Sequence, residues 1–337
     1  MEANEDLRRR ALAVVNQSLG WRDVRDVEPA GAGEWSIAYG LVHGGRRFVV
    51  RLGAHPEHFA KDMVMSRHTR PGLPIPEVVA MGAAPGPADS HPLYFVVAHR
   101  VFGRFIDDLS PAELDRALPA LLVMLDALAT NKVAGSTGFG FWDAPGRGSA
   151  PSWRDALLQI GEDHDFGGGA SGWRAALGTL PDCMVAFDKG YEVLTHLLRD
   201  VPDAQLVVHS DLLHRNVLVE SGDVERLAGV IDWGNALFGD PLYDLTTLLF
   251  WIPRTPGWHD VNVWSAVRRH WQARGATPHD SPRRLRAYAL HEALAALAYS
   301  AWKGRASTET EQRAQWVQDL ARQPFSNVPD VPNSYRR

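Results

Sequence analysis

The stretch that follows Asn216 constrains the fold of this chain more than any other. Residues 217–219 indicate a short buried strand, 221–223 a turn, and 227–231 a returning strand. Such a hairpin would bring Asp232 back beside Asn216, the residue that precedes its first strand. One amide and one carboxylate would then face the same small space, which suits a magnesium ion that carries nucleotide phosphates.

The residues just before this hairpin match the spacing H-x-D-x-x-x-x-N, formed by His209, Asp211 and Asn216. In phosphoryl-transfer enzymes this spacing holds a catalytic aspartate and a metal-binding asparagine. Asp211 could accept the proton of an attacking hydroxyl and act as the base, whereas we expect His209 to brace the loop by hydrogen bonds. His, Asp and Asn are also ordinary turn-forming residues. Three matches in order, joined by a hairpin, favour phosphoryl transfer.

The first hundred residues contain a candidate site for nucleotide phosphates. The small, glycine-containing segment 30–36 lies between two expected strands, and Ser36 could offer its hydroxyl and amide to a phosphate. A turn of this composition is also common in ordinary hairpins. Arg51 ends the next strand, where protein kinases have a lysine for the nucleotide phosphates. It could equally be an edge-strand arginine in solvent, and either Glu57 or Asp62 in the following helix could be its acidic partner.

If the chain is a two-lobed kinase, as the motifs above indicate, the apolar strand 93–98 ends at the hinge between the lobes. Backbone groups from about Ala98 to Arg100 would then bind the adenine of the nucleotide. We therefore predict an α+β, two-lobed, protein-kinase-like fold with a small, mainly β N-terminal lobe (1–100). The larger, mainly helical C-terminal lobe (101–337) would carry catalysis and acceptor binding.

Further expectations concern the larger lobe. Ser110 should cap a long helix over 111–129. The glycine- and proline-rich segment 138–152 should form a loop. Asp240 and Asp244 should have structural roles, either capping the helix that follows them or bonding to the catalytic loop.

Composition narrows the class of protein. The chain has 337 residues, 45% of them hydrophobic, which is enough for two lobes with their own cores. Cys183 is the only cysteine, so neither an intramolecular disulfide nor a cysteine-rich metal site can form. The net charge of −5 and the scattered basic residues argue against a nucleic-acid partner. The single cysteine suits a reducing cytoplasm, and without a secretory signal or an apolar stretch long enough to cross a bilayer we expect a soluble protein. The sequence leaves the oligomeric state open, with a monomer as our expectation.

Several motifs resemble the aminoglycoside phosphotransferase family, and within it the hygromycin-modifying branch. These are LPIPEV at 73–78, GFG at 138–140, WRD at 153–155, VIDW at 230–233, FGD at 238–240, FW at 250–251 and LRAY at 285–288. The resemblance implies a kinase-like fold that uses ATP and Mg²⁺ to phosphorylate a hydroxyl of an antibiotic such as hygromycin B. Asp211 would be the base, Asn216 and Asp232 the magnesium ligands, and Arg51 the phosphate contact. Ser210 and Arg51 stand where many relatives have glycine and lysine.

A cationic antibiotic calls for an acidic acceptor site. The candidate carboxylates are Asp143, Glu162, Asp165 and Glu292. Asn235 and Trp251 lie close in sequence to the metal motif and could contact the acceptor sugar. Two alternatives stay open: a kinase of this fold acting on choline, a sugar or homoserine, and a nucleotide-binding regulatory protein without transfer activity.

Overall fold

The computed structural model describes residues 2–86, 92–163, 172–275 and 281–322. The chain forms two compact units, which consist of Met1–Asp107 with His214–Ala236, and of Asp108–Leu213 with Leu237–Arg337. The first unit therefore includes the hairpin after Asn216, which a division at residue 100 would assign to the C-terminal lobe. Among the described residues, no helix is long and apolar enough to cross a membrane.

The strands, numbered in chain order, are β1 (Arg25–Ala32), β2 (Ser36–His43), β3 (Arg46–Gly53), β4 (Val78–Ala83), β5 (Tyr94–His99), β6 (Arg104–Phe105), β7 (Phe139–Trp142), β8 (Gly148–Ala150), β9 (Leu206–Val208), β10 (Val217–Glu220), β11 (Asp223–Val230) and β12 (Leu237–Gly239). The α-helices are α1 (Glu2–Ala13), α2 (Pro56–Met65), α3 (Pro111–Leu128), α4 (Trp153–Leu158), α5 (Trp173–Leu177), α6 (Pro181–Leu197), α7 (Leu242–Trp251), α8 (Val263–Ala273), α9 (Ser281–Trp302) and α10 (Ser307–Arg322). Short helices of other types include a π-helix at Val14–Ser18 and a 3₁₀-helix at Trp233–Asn235.

The first unit is built on an antiparallel five-stranded sheet in the order β1-β2-β3-β5-β4. Alternate residues of the three central strands are buried on one face, because successive side chains in a strand point to opposite sides. This face packs against the end of the opening helix, and the resulting core includes Val14, Val15, Tyr39, Leu41, Phe48, Val50, Phe95 and Val97. The sheet thus leaves its other face available for the groups that form the cavity described below.

The hairpin predicted after Asn216 is present as β10 and β11. The two strands pair antiparallel, with Val217 opposite Val230, and β6 extends them to a three-stranded sheet. Beyond the last strand pair, the amide of Ile231 donates to the carbonyl oxygen of Asn216 at 2.9 Å. The chain that leads to Asp232 is therefore held beside Asn216, as the sequence predicted.

The second unit is mainly helical. Helices α6, α9 and α10 pack together so closely that a Cβ atom at Gly190 would lie 2.4 Å from Val317 Cγ1 and 3.2 Å from Leu294 Cδ2. A glycine is required where helices approach to this distance. At the start of α3, Ser110 Oγ accepts from the Glu113 amide and Glu113 accepts from the Ser110 amide, so the predicted cap is confirmed as a capping box.

One expectation for this unit is wrong. Segment 138–152, predicted as a loop, contains β7 and β8, which join β12 and β9 in a four-stranded sheet. These short strands are stabilised by Trp142, which is buried and stacks on Phe238 of β12 with ring centroids 4.9 Å apart. Such burial of two aromatic rings stabilises strands too short to be seen in the sequence pattern.

Candidate active site

Arg51 on β3 is the centre of a polar network in the first unit. Its Nη1 lies 2.8 Å from Asp62 Oδ2, its Nη2 lies 2.8 Å from Asp232 Oδ1, and its Nε donates to Ser36 Oγ at 3.3 Å. The acidic partner left open between Glu57 and Asp62 is therefore Asp62, with Asp232 as a second partner. The planar guanidinium bonds to these three residues through three separate nitrogen atoms, whereas a lysine has a single nitrogen atom from which to donate.

The electrostatics of this network follow from burial and charge. Burial disfavours the cation, but Asp232 and Asp62 outweigh it and the pKa of Arg51 is raised. Burial raises the pKa of Asp62 to about 6, because Arg51 offsets the loss of hydration only in part and Asp232 repels a second negative charge. Arg51 thus remains a permanent cation close to two carboxyl groups.

A cavity of about 420 Å³ lies in the first unit and brings together the predicted nucleotide and metal residues. Its lining includes Ser36, Arg51, Ala98, Arg100, Asn216 and Asp232. Apolar side chains from β2, β3, β5 and β10 complete the wall, among them Ala38, Val49, Val96 and Leu218. Ligand cavities are commonly of this kind, with an apolar wall and a few polar groups that converge.

Backbone hydrogen bonds at the end of β5 limit which groups could bind an adenine there. The amide of His99 donates to Glu77 O at 2.9 Å, and the amide of Arg100 donates to Arg47 O at 3.0 Å. These two donors are therefore engaged within the protein and cannot serve an adenine without being released. The Arg100 side chain also has a structural partner, since its Nη1 lies 2.6 Å from Glu28 Oε1.

Asn216 and Asp232 have the chemistry that a magnesium ion requires. Both offer oxygen atoms to the same cavity, Asn216 from a buried position and Asp232 with a side chain 42% exposed. Mg²⁺ usually binds through one or two such ligands, together with water and phosphate oxygens, rather than in an all-protein cage. The residues present fit a nucleotide-bound magnesium ion.

The loop around Asp211, the base expected from the sequence, belongs to the second unit, where Asp244 of α7 holds it. Asp244 accepts the amide of His209 at 2.8 Å through one oxygen and the amide of Ser210 at 2.7 Å through the other. The amide of Asp211 in turn donates to His209 Nδ1 at 3.3 Å. His209 is fully buried, so its predicted role in bracing the loop is confirmed.

The backbone at position 210 has a conformation that fits the glycine expected there from the family resemblance. Ser210 has φ of 63°, in the left-handed region that glycine adopts without strain. The hydrogen bond from its backbone amide to Asp244 helps to hold this conformation. Burial raises the pKa of Asp244 to about 7, although the two amide donors favour its charged form.

The structural role expected for Asp240 is confirmed. Its Oδ1 accepts the amide of Leu242 at the start of α7, at 3.0 Å. Its Oδ2 accepts from Arg284 Nη1 and from the Tyr288 hydroxyl, both at 2.8 Å. Asp240 therefore fixes the start of α7 against α9.

Two of the acceptor candidates form a buried cluster in the second unit. Trp251 Nε1 donates to Glu292 Oε2 at 2.9 Å, and the Tyr243 hydroxyl donates to Glu292 Oε1 at 2.5 Å. The Tyr243 hydroxyl also lies 2.7 Å from Nδ1 of His291, whose pKa burial lowers to about 4. The sequence did not indicate Tyr243 or His291 as part of this cluster, because only their contacts in the folded chain connect them to Glu292.

The remaining acceptor candidates are placed separately. Asp143 follows β7 and is bound to Arg147, which donates through its amide at 2.8 Å and its side chain at 2.7 Å. Asn235 ends the 3₁₀-helix Trp233–Asn235 in the first unit. Glu162 accepts the indole of Trp173 through its backbone oxygen. Asp165 lies outside the described residues.

The fold and this set of residues define a kinase-like phosphotransferase. The sequence pattern of the phosphotransferase enzyme family, APH, matches residues 26–288, and the chain belongs to this family. It is 30% identical to the hygromycin-B 4-O-kinase of Escherichia coli over 272 residues, which are 80% of this chain and 73% of that enzyme. The predicted fold class and the family resemblance are both confirmed.

Solved structures of aminoglycoside phosphotransferase APH(4)-Ia share the fold. A thermostable mutant in ternary complex with AMP-PNP and hygromycin B matches with a TM-score of 0.74 and 28% identity, covering 92% of this chain and 98% of that one. A second APH(4)-Ia structure matches with a TM-score of 0.76 and 27% identity, covering 93% and 98%.

Proposed function

We propose that this protein transfers the γ-phosphate of ATP to a hydroxyl group of an aminoglycoside, and that the acceptor is hygromycin B or a close relative. One observation carries the proposal: Arg51, Asn216 and Asp232 line the same cavity in a chain of the phosphotransferase family. A cation for phosphates and two oxygen ligands for a metal ion are the groups that phosphoryl transfer requires.

The first unit supplies the nucleotide side of the reaction. Arg51 binds phosphate oxygens through guanidinium donors, and Ser36 supports it from the first position of β2. Asn216 and Asp232 would hold a magnesium ion, and such an ion would supply positive charge to the nucleotide phosphates. Because each group is fixed by the surrounding structure, little reorganisation is needed when the charge develops.

The second unit supplies the base. Asp211 accepts the proton of the attacking hydroxyl and keeps its oxygen in line with the phosphorus. Asp244 holds the loop at the amides of His209 and Ser210, which fixes the backbone that leads to Asp211. Rate enhancement comes mainly from positioning and from charge stabilisation.

The acceptor side is polar and acidic. Glu292 and Trp251, which are hydrogen-bonded to each other in the second unit, are our candidates for contacts to the sugar rings. Asn235 of the first unit is a further candidate. Asp143 is a weaker candidate, since Arg147 already neutralises it. The similarity to a hygromycin-B 4-O-kinase, and to APH(4)-Ia in complex with hygromycin B, supports hygromycin B as the acceptor. Phosphorylation of the drug would confer resistance, and a cytoplasmic location is part of the proposal because the single cysteine suits a reducing compartment.

An assay of ATP consumption with a panel of acceptors tests the proposal. The purified protein with Mg²⁺ and ATP is offered hygromycin B, a second aminoglycoside, choline and homoserine in separate reactions. We expect ADP formation that depends on hygromycin B. Consumption only with choline or homoserine would favour a metabolite kinase of the same fold, and nucleotide binding without consumption in any reaction would favour the regulatory alternative.

A further inference from the structure

Lys61 on α2 is a buried lysine with two backbone partners. The residue is only 2% exposed, and its Nζ donates to the carbonyl oxygens of Gly234 and Ala236, each at 2.9 Å. Lysines are almost never fully buried unless they are paired, because the ammonium loses its hydration. Here the two carbonyl bonds compensate for part of that loss. The position therefore serves a purpose that an apolar residue of similar length would not.

The residues around Lys61 hold the same segment of chain. The next residue, Asp62, accepts the amide of Trp233 through Oδ1 at 2.9 Å. One turn earlier, His58 lies so close that a Cβ atom at Gly234 would be 3.0 Å from its Cγ. Positions 58, 61 and 62 share one face of the helix, since residues three and four apart are neighbours. This face of α2 thus bonds to three backbone groups after Asp232, namely the amide of Trp233 and the carbonyl oxygens of Gly234 and Ala236.

Asp232 itself has a backbone conformation that needs support. Its φ of 61° and ψ of 69° lie in the left-handed region. For a residue with a side chain this conformation is strained, and it persists only where the surroundings impose it. The contacts of Lys61 and Asp62 begin at the very next residue. They are therefore placed to impose the conformation that orients the Asp232 carboxylate.

We propose that Lys61 is a positioning residue of the nucleotide site, which holds segment 233–236 so that Asp232 presents its carboxylate to the nucleotide-bound metal ion. This inference rests on the proposed function, in which Asp232 is a metal ligand. Lys61 does not line the cavity, so it acts through the backbone of the segment and not on the nucleotide. Residues that orient metal ligands in this way typically contribute tenfold or more to metal affinity.

The test compares the affinity for AMP-PNP with Mg²⁺ and with EDTA, measured by calorimetry on the full chain. In Lys61→Met, two buried carbonyl groups lose their donor, and we expect the gain in affinity from Mg²⁺ to fall by about tenfold while metal-free binding changes less than about twofold. Lys61→Gln retains an amide donor and should restore part of the gain. The control, Met65→Ala, removes a buried side chain from the same helix that has no bond to the segment, and should lower the melting temperature while leaving the gain at the wild-type value.

An unchanged Mg²⁺ gain in Lys61→Met would overturn the inference, and so would an equal loss in Met65→Ala. If Lys61→Met does not fold, Lys61→Gln decides in the same way, with an unchanged gain counting against the inference. A failure of the proposed function looks different, because the wild-type chain itself would then show no gain in affinity on addition of Mg²⁺.

Discussion

Arg51 and Asp232 form an ion pair, with Nη2 of the arginine 2.8 Å from Oδ1 of the aspartate, although 181 positions separate them in the chain. The pair joins the proposed phosphate contact to a proposed metal ligand. Asp62 holds the other end of the guanidinium at 2.8 Å. The arrangement makes position 51 sensitive to the shape of the cation as well as to its charge.

Replacement of Arg51 by lysine should therefore weaken nucleotide binding. A lysine keeps the charge but cannot bond to Ser36, Asp62 and Asp232 together, and we expect KM for ATP to rise by about tenfold. The matched control is Arg47→Lys on the same strand, where the arginine is exposed and packs over the Phe102 ring. Steady-state kinetics at saturating hygromycin B measures both. Equal KM values in the two variants would show that only charge matters at position 51.

Replacement of Asp244 by asparagine should impair catalysis without affecting the nucleotide. The new amide group would face one of the two backbone donors at 209 and 210, which would displace the loop of Asp211. We expect kcat to fall by about a hundredfold, because small displacements of a catalytic group cost this much. The affinity for AMP-PNP should not change, since the residues lining the cavity all belong to the first unit. Thr247→Val, on the same helix, loses only a hydroxyl bonded within it and should keep kcat within about twofold.

The burial of Lys61 predicts a pH dependence of stability. Burial lowers the pKa of Lys61 to about 7 from 10.5, against the opposing influence of Glu57 and Asp62. Between about pH 7 and pH 10 Lys61 is protonated in the unfolded chain and neutral in the folded chain. The free energy of unfolding should therefore increase as the pH is raised through this range. Lys61→Met lacks this group. Urea unfolding at several pH values should show wild type gaining stability relative to the variant as pH rises, and a flat or falling difference would contradict the assignment.

The acceptor assignment separates Glu292 from Asp143. Glu292→Gln removes a negative charge and leaves an amide facing the donors of Tyr243 and Trp251, so KM for hygromycin B should rise by about tenfold with KM for ATP unchanged. Asp143→Asn should alter either KM by less than about twofold, because Arg147 already neutralises this carboxylate. Initial rates measured with each substrate varied in turn give both KM values. A larger increase in KM for hygromycin B in Asp143→Asn than in Glu292→Gln would contradict the assignment and would favour Asp143 as the acceptor contact.

Much of the nucleotide side could be predicted from the sequence because it depends on local patterns. The β10–β11 hairpin follows from two apolar runs with a turn between them, and its closure places Asn216 beside Asp232. The strand that carries Arg51 follows from alternation of apolar and polar residues. Spacing along the chain was sufficient in these cases.

The rest depends on contacts between residues far apart in the chain. Glu57 and Asp62 lie on the same short helix, and only the packing of α2 shows that Asp62 meets Arg51. Lys61 resembles a solvated helix residue until its burial against Gly234 and Ala236 is seen. The short strands β7 and β8 are ordered by the stacking of Trp142 on Phe238, which no local pattern records.

The most direct test of the account is mass spectrometry of hygromycin B after incubation with Mg²⁺, ATP and either the wild-type chain or Asp211→Asn. The wild type should yield hygromycin B carrying one phosphoryl group and an equal amount of ADP. Asp211→Asn should bind AMP-PNP as the wild type does but form product at least about a hundredfold more slowly, as expected for loss of a base. Unmodified hygromycin B after incubation with the wild type, or product formed at the wild-type rate by the variant, would contradict the account.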